Sequence, residues 1–258
     1  MTTDPPAAPR AVPLLRVVGL TFGHPVATGD GAATAGVFDV TLDLFPGEIV
    51  AVIGPSGGGK SSLIRLLAGL THRDSGTVAL DGEPIDSLDL RHYRRRVAML
   101  FQQPHMTTGT VADNLCLPGR LHGEDAARVD VAGLLHSVDL ALELVGREAA
   151  TLSVGQQQRV ALARLLAMTP ACLLLDEPTA ALDPVSTQVI VRLLQRLRGE
   201  GVAILLVTHE LAVARRLADR VVVLVAGRVV EEGAVAGFFA APQSTEARAF
   251  LAAEGATP

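Results

Sequence analysis

Residues 54–61 read GPSGGGKS and satisfy the spacing G-x-x-x-x-G-K-[ST]. Glycines at 54, 57, 58 and 59 let a backbone curl without Cβ clashes, so that successive N–H groups turn inward on phosphate oxygens. The whole loop, Gly54, Pro55, Ser56, Gly57, Gly58, Gly59, Lys60, Ser61 and Ser62, is therefore expected to bind the phosphates of a nucleotide. A helix opening near Lys60 adds its positive dipole end. Lys60 would reach the β- and γ-phosphates, and the Ser61 hydroxyl would ligate Mg²⁺. Of the 22 basic residues, 21 are arginine and Lys60 is the single lysine. A chain that uses the planar guanidinium everywhere else needs a compact ammonium here.

Three further places carry polar groups directly after apolar runs. Asp176 and Glu177 follow CLLL. Asp176 suits a Mg²⁺ partner, and Glu177 can orient and deprotonate a water attacking the γ-phosphate. Gln102 follows VAMLF, and its neutral amide can touch Mg²⁺ or the attacking water and release it again. His209 follows AILLVT and can line up the water and bond the γ-phosphate. These residues give an expected catalytic set of Glu177, His209, Gln102 and Lys60, with Ser61, Gln102 and Asp176 toward the metal.

Such groups meet only if the elements before them share one sheet. The runs 49–53, 97–101, 172–175 and 202–207 are rich enough in Val, Ile and Leu to be strands buried on both faces of a parallel sheet. Ligands of such sheets sit beyond the carboxyl ends of the strands, so one crevice is expected. Helical patterns at 61–68, 157–167, 184–198 and 211–218 alternate with the strands, as in an α/β layer fold. Segments 14–20, 38–44 and 77–80 alternate apolar with polar residues and predict an antiparallel β subdomain. Segment 24–36, rich in Gly, Ala and Thr, reads as a mobile loop. Between 104 and 150 no buried strand is expected; a helical periodicity at 126–138 points to a small helical insertion.

Composition narrows the classes. The chain has 258 residues, a net charge of −5 and 19% charged residues, which disfavours bulk nucleic-acid binding. Its apolar stretches are far shorter than the ~20 residues of a membrane-spanning helix. Residues 1–13, with prolines at 5, 6, 9 and 13, read as a floppy tail and not a secretion signal, so a cytoplasmic location is expected. Cys116 and Cys172 lack metal-ligand spacing and are read as packing residues.

At 152–159 the chain reads LSVGQQQR. In order, GPSGGGKS, FQQP, LSVGQQQR, CLLLDEPTAALD and VTHE resemble the Walker A, Q-loop, signature, Walker B with D-loop, and switch histidine of the ATP-binding cassette (ABC) transporter ATPases. The resemblance implies a P-loop NTPase parallel-sheet core with an antiparallel β subdomain and a helical insertion at about 104–158. The ATPase domain would cover 14–240, followed by a helical tail over 241–258. It also implies a head-to-tail pair of cassettes, a second copy or a homologous chain. Ser153, Gly155, Gln156 and Asp183 would then face the nucleotide of the opposite subunit, with the signature helix opening near Gln156. Three positions depart from the family pattern: Val154 for glycine in the signature, Ala180 for serine in the D-loop, and His24 for an aromatic that stacks on adenine.

By the same resemblance the partners are transmembrane permease subunits, with the segment 104–111 as the docking place of a coupling helix. A solute-binding protein is a further candidate partner, and no nucleic acid is expected. The cassette would lie on the inner face of the cell membrane. The tail resembles importer cassettes for small polar solutes such as amino acids or phosphate. The alternatives are an exporter ATPase, a soluble ABC machine outside transport, and a nucleotide-binding regulator without turnover.

Overall fold

The structure is a computed structural model that describes residues 12–28, 31–123, 125, 128–180 and 182–255. The tail expected over 1–13 lies outside the described residues as far as residue 11, as do the first two residues of the periodicity read at 126–138.

The strands are β1 (Leu15–Thr28), β2 (Gly31–Leu44), β3 (Ile49–Ile53), β4 (Ser75–Leu80), β5 (Glu83–Pro84), β6 (Val97–Leu100), β7 (Cys172–Asp176), β8 (Ala203–Val207), β9 (Arg220–Val225) and β10 (Arg228–Ala234). The helices are α1 (Lys60–Leu67), α2 (Leu90–Arg96), α3 (Val111–Leu121), α4 (Val131–Ser137), α5 (Val154–Leu166), α6 (Pro184–Gly199), α7 (Leu211–Leu217), α8 (Val235–Ala240) and α9 (Thr245–Ala253). One sheet runs β10-β9-β3-β8-β7-β6, the other β2-β1-β4-β5. Within the first, β9, β3, β8, β7 and β6 pair in parallel, and β10 adds an antiparallel edge. The second sheet is antiparallel throughout.

Every residue of β3, β7 and β8 is buried. Successive side chains of a strand point to opposite faces, so a strand covered on both sides is apolar along its length, with Asp176 at the carboxyl end of β7 as the exception. Ile49, Ala51 and Ile53 enter one core with Leu173, Leu175, Ile204 and Leu206, against α5, α6 and α7. Val50 and Val52 enter a second core with Leu63, Ile64 and the inner face of β1 and β2. Truncating a fully buried leucine such as Leu206 to alanine costs about 2–5 kcal/mol in such a setting. Cys172 belongs to the second core; burial pushes its thiol pKa up to about 12, which keeps it an inert packing group. Among the described residues no helix is long and apolar enough to cross a membrane.

Three local expectations need correction. The described residues of segment 24–36, 24–28 and 31–36, are not loop. They pair as β1 and β2, from Gly23↔Gly36 to Thr28↔Gly31. Pro25 is tolerated there because β4 pairs with β1 only as far as Thr21, leaving the other edge of β1 unpaired beyond that point. Second, the helical region between β6 and β7 holds α3, which periodicity missed because Pro118 and Gly119 stand inside it. A capping box starts it: Asp113 N–H donates to Thr110 Oγ1 and Thr110 N–H donates back to the Asp113 carboxylate. Third, α5 opens at Val154, before Gln156, with Ser153 as its cap.

Candidate active site

Between β3 and α1 the chain must reverse closely against its neighbours, and this explains the glycines. Gly54 has φ +146°, and a Cβ there would fall 2.1 Å from the Leu224 carbonyl oxygen. Gly59, at φ +97°, would place a Cβ 2.5 Å from the Gly36 oxygen. Two backbone bonds clip the loop to the rest: Gly227 N–H donates to Gly58 O at 3.0 Å, and Phe38 N–H donates to Gly227 O at 2.8 Å. At the start of α1 the N–H groups of Gly59, Lys60, Ser61 and Ser62 have no acceptor among the described residues. They form the donor cluster of a helix N-terminus, which favours an anion.

Lys60 is buried, and its Nζ donates to the carbonyls of Gly54 at 2.7 Å and Pro55 at 2.9 Å. Burial pulls its pKa down, opposed by the nearby charges of Glu177 and Asp176. The ammonium thus lies along its own loop with one donor left over. Beside it opens a cavity of about 390 Å³, lined by residues 56–62 together with Gln102, Glu177, Val207, His24 and Gly36. The ends of β3, β6, β7 and β8 all reach this one cleft.

Asp176 is buried, and Ser61 Oγ donates loosely to its Oδ1 at 3.5 Å. Burial raises the carboxyl pKa, and Glu177 adds to the rise, while Ser61, Arg65 and Lys60 oppose it. Ser61, Asp176 and Gln102 offer only oxygen donors, and no group of three His, Cys, Asp or Glu suited to a metal occurs among the described residues. An oxygen set this sparse fits a hard ion that keeps several waters, as Mg²⁺ does.

Glu177 leaves the sheet with φ +51°, a left-handed backbone that costs a non-glycine residue about 1–2 kcal/mol. Its N–H donates to Val207 O at 2.9 Å, which holds the bend against β8. The bend carries the carboxylate to His209, whose Nδ1 lies 2.7 Å from Glu177 Oε2. This bond to the carboxylate raises the imidazole pKa. Reading the sequence missed the residues behind this pair. Thr179 Oγ1 donates to Glu210 Oε1 at 2.6 Å, and Glu210 N–H donates to the buried Thr208 Oγ1 at 3.0 Å. Both threonines adjoin the acid pair and the histidine in the chain, and that adjacency was the available signal.

The remaining expected residues are not in this cavity. Ser153 caps α5, its Oγ accepting from Gln156 N–H at 3.3 Å, while the Gln156 side-chain oxygen accepts from Ser153 N–H at 3.1 Å. Asp183 caps α6, accepting from the N–H groups of Val185 and Ser186 and from Ser186 Oγ. A Cβ on Gly155 would lie 3.1 Å from Ser186 Oγ, so the two helix starts adjoin each other. Val154 is 57% exposed at that surface. Ser153, Gly155, Gln156 and Asp183 thus cluster at the adjoining starts of α5 and α6, outside the cavity lined by residues 56–62.

A family model described as ABC transporter matches residues 37–180. The chain belongs to the ABC transporter family. It is 47% identical over 236 residues to the methionine import ATP-binding protein MetN of Caulobacter vibrioides, a match that covers 89% of this chain and 68% of that protein. Among solved structures, it resembles the ATP-binding cassette MJ0796 in a dimeric post-hydrolysis state bound to ADP and Pi, with a TM-score of 0.75 and 30% identity over 86% of this chain and 98% of that one. It also resembles cbiO1 from Clostridium perfringens, part of the ABC transporter complex cbiONQ, with a TM-score of 0.74 and 30% identity over 88% and 91% of the two chains. The chain spans about two thirds of the length of the MetN relatives, 68% in Caulobacter and 66% in Brucella abortus. As an ABC cassette it binds ATP and hydrolyses it.

Proposed function

We propose that this ABC cassette powers the import of a small polar solute of the amino-acid class, working as a head-to-tail pair beneath permease subunits on the inner face of the membrane. The 47% identity to a methionine import ATP-binding protein carries the reading of the solute class. The dimeric cassette and the cbiONQ component among its structural relatives support the pairing and the permease.

In this reading the N–H groups of residues 59–62 and the Lys60 ammonium bind the phosphates, with Lys60 exchanging its loop carbonyls for β- and γ-phosphate oxygens. Ser61, Gln102 and Asp176 would hold Mg²⁺, which neutralises charge on those oxygens. His209 keeps the Glu177 carboxylate turned toward the γ-phosphate. Glu177 takes a proton from water as its oxygen bonds to the γ-phosphorus; the bond from phosphorus to the bridging oxygen breaks, and ADP leaves with that oxygen. Ser153 and the Gly155 N–H complete the site of the partner copy. The Ser153 Oγ accepts its capping bond through a lone pair, so its own O–H stays free to donate. Losing the γ-phosphate removes the charge that both halves hold, and the pair opens.

An apolar groove of about 390 Å³ is linked to the expected docking segment 104–111 through Phe101, whose ring meets that of His105 edge-on. Leu70, Phe101 and Leu121 line it and are 45%, 42% and 66% exposed. The segment itself is braced from within. Asn114 Oδ1 accepts from Thr107 N–H and Oγ1, both at 2.9 Å, and Arg164 donates to Asn114 Oδ1 and to His105 O. A helix of a permease pressing on this groove would meet a surface tied to α5 and to Gln102.

The test is reconstitution with permease subunits encoded beside this gene. Proteoliposomes should take up labelled methionine or a related amino acid when MgATP is supplied on the cassette side. ATP-driven efflux, or a cassette that never joins a membrane protein, would overturn the reading.

A further inference from the structure

Gln158 is 3% exposed, and neither its side-chain oxygen nor its side-chain nitrogen has a hydrogen-bond partner among the described residues. A buried amide left in this state is costly, because water bonds it well and hydrocarbon does not. Its neighbour Gln157 is spent locally, donating to Ala150 O and Leu152 O. Gln158 instead lines a second cavity, of about 430 Å³, together with Gln102, Gln103, Pro104 and Ala180. Gln102 is shared: it lines this cavity and the nucleotide cleft. Neither Gln102 nor Gln103 makes a hydrogen bond to another described residue through backbone or side chain. Polar groups without partners among the described residues thus line one cavity, one set on the signature helix and the other on the segment that carries Gln102.

We propose that Gln158 is a positioning residue for Gln102: when ATP draws the cassette closed, the Gln158 amide bonds the Gln102–Gln103 backbone and fixes the Gln102 side chain at the nucleotide. The chemistry suits this, since one carboxamide both donates and accepts and so can take a backbone N–H and a C=O together. The inference rests on the proposed place of Gln102 beside the metal and γ-phosphate. Gln158 touches no reacting atom and acts only through its neighbour.

The test uses the full-length chain and a double-mutant cycle in MgATP hydrolysis. Gln158→Leu keeps the volume and removes the unpaired polar atoms, so it should melt at or above the wild-type temperature. It should also lose kcat by about tenfold while KM for ATP stays within about twofold. Combined with Gln102→Ala, it should add no further loss beyond Gln102→Ala alone. Gln158→Met serves as the second variant if leucine prevents folding, with the same expectations. A Gln158 variant with wild-type kcat, or losses that multiply in the double variant, would overturn the inference. Hydrolysis that persists in Lys60→Ala would instead strike the reading of the nucleotide site, which separates the two failures.

Discussion

His209 Nδ1 lies 2.7 Å from Glu177 Oε2, although the two residues end different strands. The contact exists because β7 and β8 are adjacent and parallel, with Asp176 opposite Val207, so both strands release their next residues into the same cleft. The left-handed turn at Glu177 then points its side chain sideways, toward the end of β8. The histidine is thereby a holder of the carboxylate, whatever else it meets.

Replacing Glu177 by glutamine keeps the shape and the acceptor but removes the base. Phosphate release should fall by about 10²–10⁴-fold, the usual contribution of a positioned general base. ATP-dependent pairing should persist and outlast that of the wild type, as read by light scattering of the purified protein. Retained hydrolysis would remove Glu177 from the catalytic set.

The Glu177–His209 bond raises the imidazole pKa above its ordinary 6.5. Stability from this contact is therefore fully present below pH 6.5 and is lost as pH rises through the folded-state value. A His209→Ala variant should melt below the wild type near pH 6, with the gap closing toward about pH 9. Because the imidazole is 57% exposed, the gap is small, and its direction with pH is the readout. A gap that widens toward alkaline pH would contradict the pairing.

Lys60→Arg preserves charge and should still weaken ATP binding by about tenfold or more, measured by titration calorimetry. Lys60 is 9% exposed, and its ammonium bonds two carbonyls of its own loop, a geometry that suits a compact cation better than a planar guanidinium. Tight binding by the arginine variant would mean that the single lysine of the chain has no special task.

Ser153→Ala removes the cap of α5 and should cost about 1 kcal/mol, or about 2–4 °C in Tm. ATP-driven pairing should suffer far more than folding, since in the proposed pair the hydroxyl also serves the opposite nucleotide. Sedimentation of the Ser153→Ala, Glu177→Gln double variant with ATP checks this. Pairing as tight as in the Glu177→Gln parent would confine Ser153 to its capping role.

Chelation of divalent cations by excess EDTA should stop hydrolysis and leave the fold intact, with full recovery on adding Mg²⁺. The oxygen-only donors Ser61, Asp176 and Gln102 set that preference, and phosphate release followed across a Mg²⁺ titration reads it. Undiminished turnover in EDTA would remove the metal from the site.

How much of this was legible in the residues can be judged element by element. The loop at 54–61 was readable because its geometry is local: glycine spacing, a strand before it and a helix after it are set within a few residues. The strands β3, β7 and β8 were equally plain, since burial on both faces leaves an uninterrupted apolar run. Segment 24–36 was misread because its small residues have no strand signature of their own. They extend because β1 and β2 pair across the turn and because Gly36 must pass within reach of Gly59 and Gly227. Helix α3 was hidden by Pro118 and Gly119, and burial of Val111, Leu115 and Cys116 outweighs them. Sequence alone determined which groups could bind a nucleotide and in what order they come. Only the tertiary structure decided that Glu177 meets His209, that Ser153 and Gly155 lie outside the cavity of their own loop, and that Gln158 is left without a partner among the described residues. Those are relations between distant segments, set by strand order and packing, and no spacing along the chain encodes them.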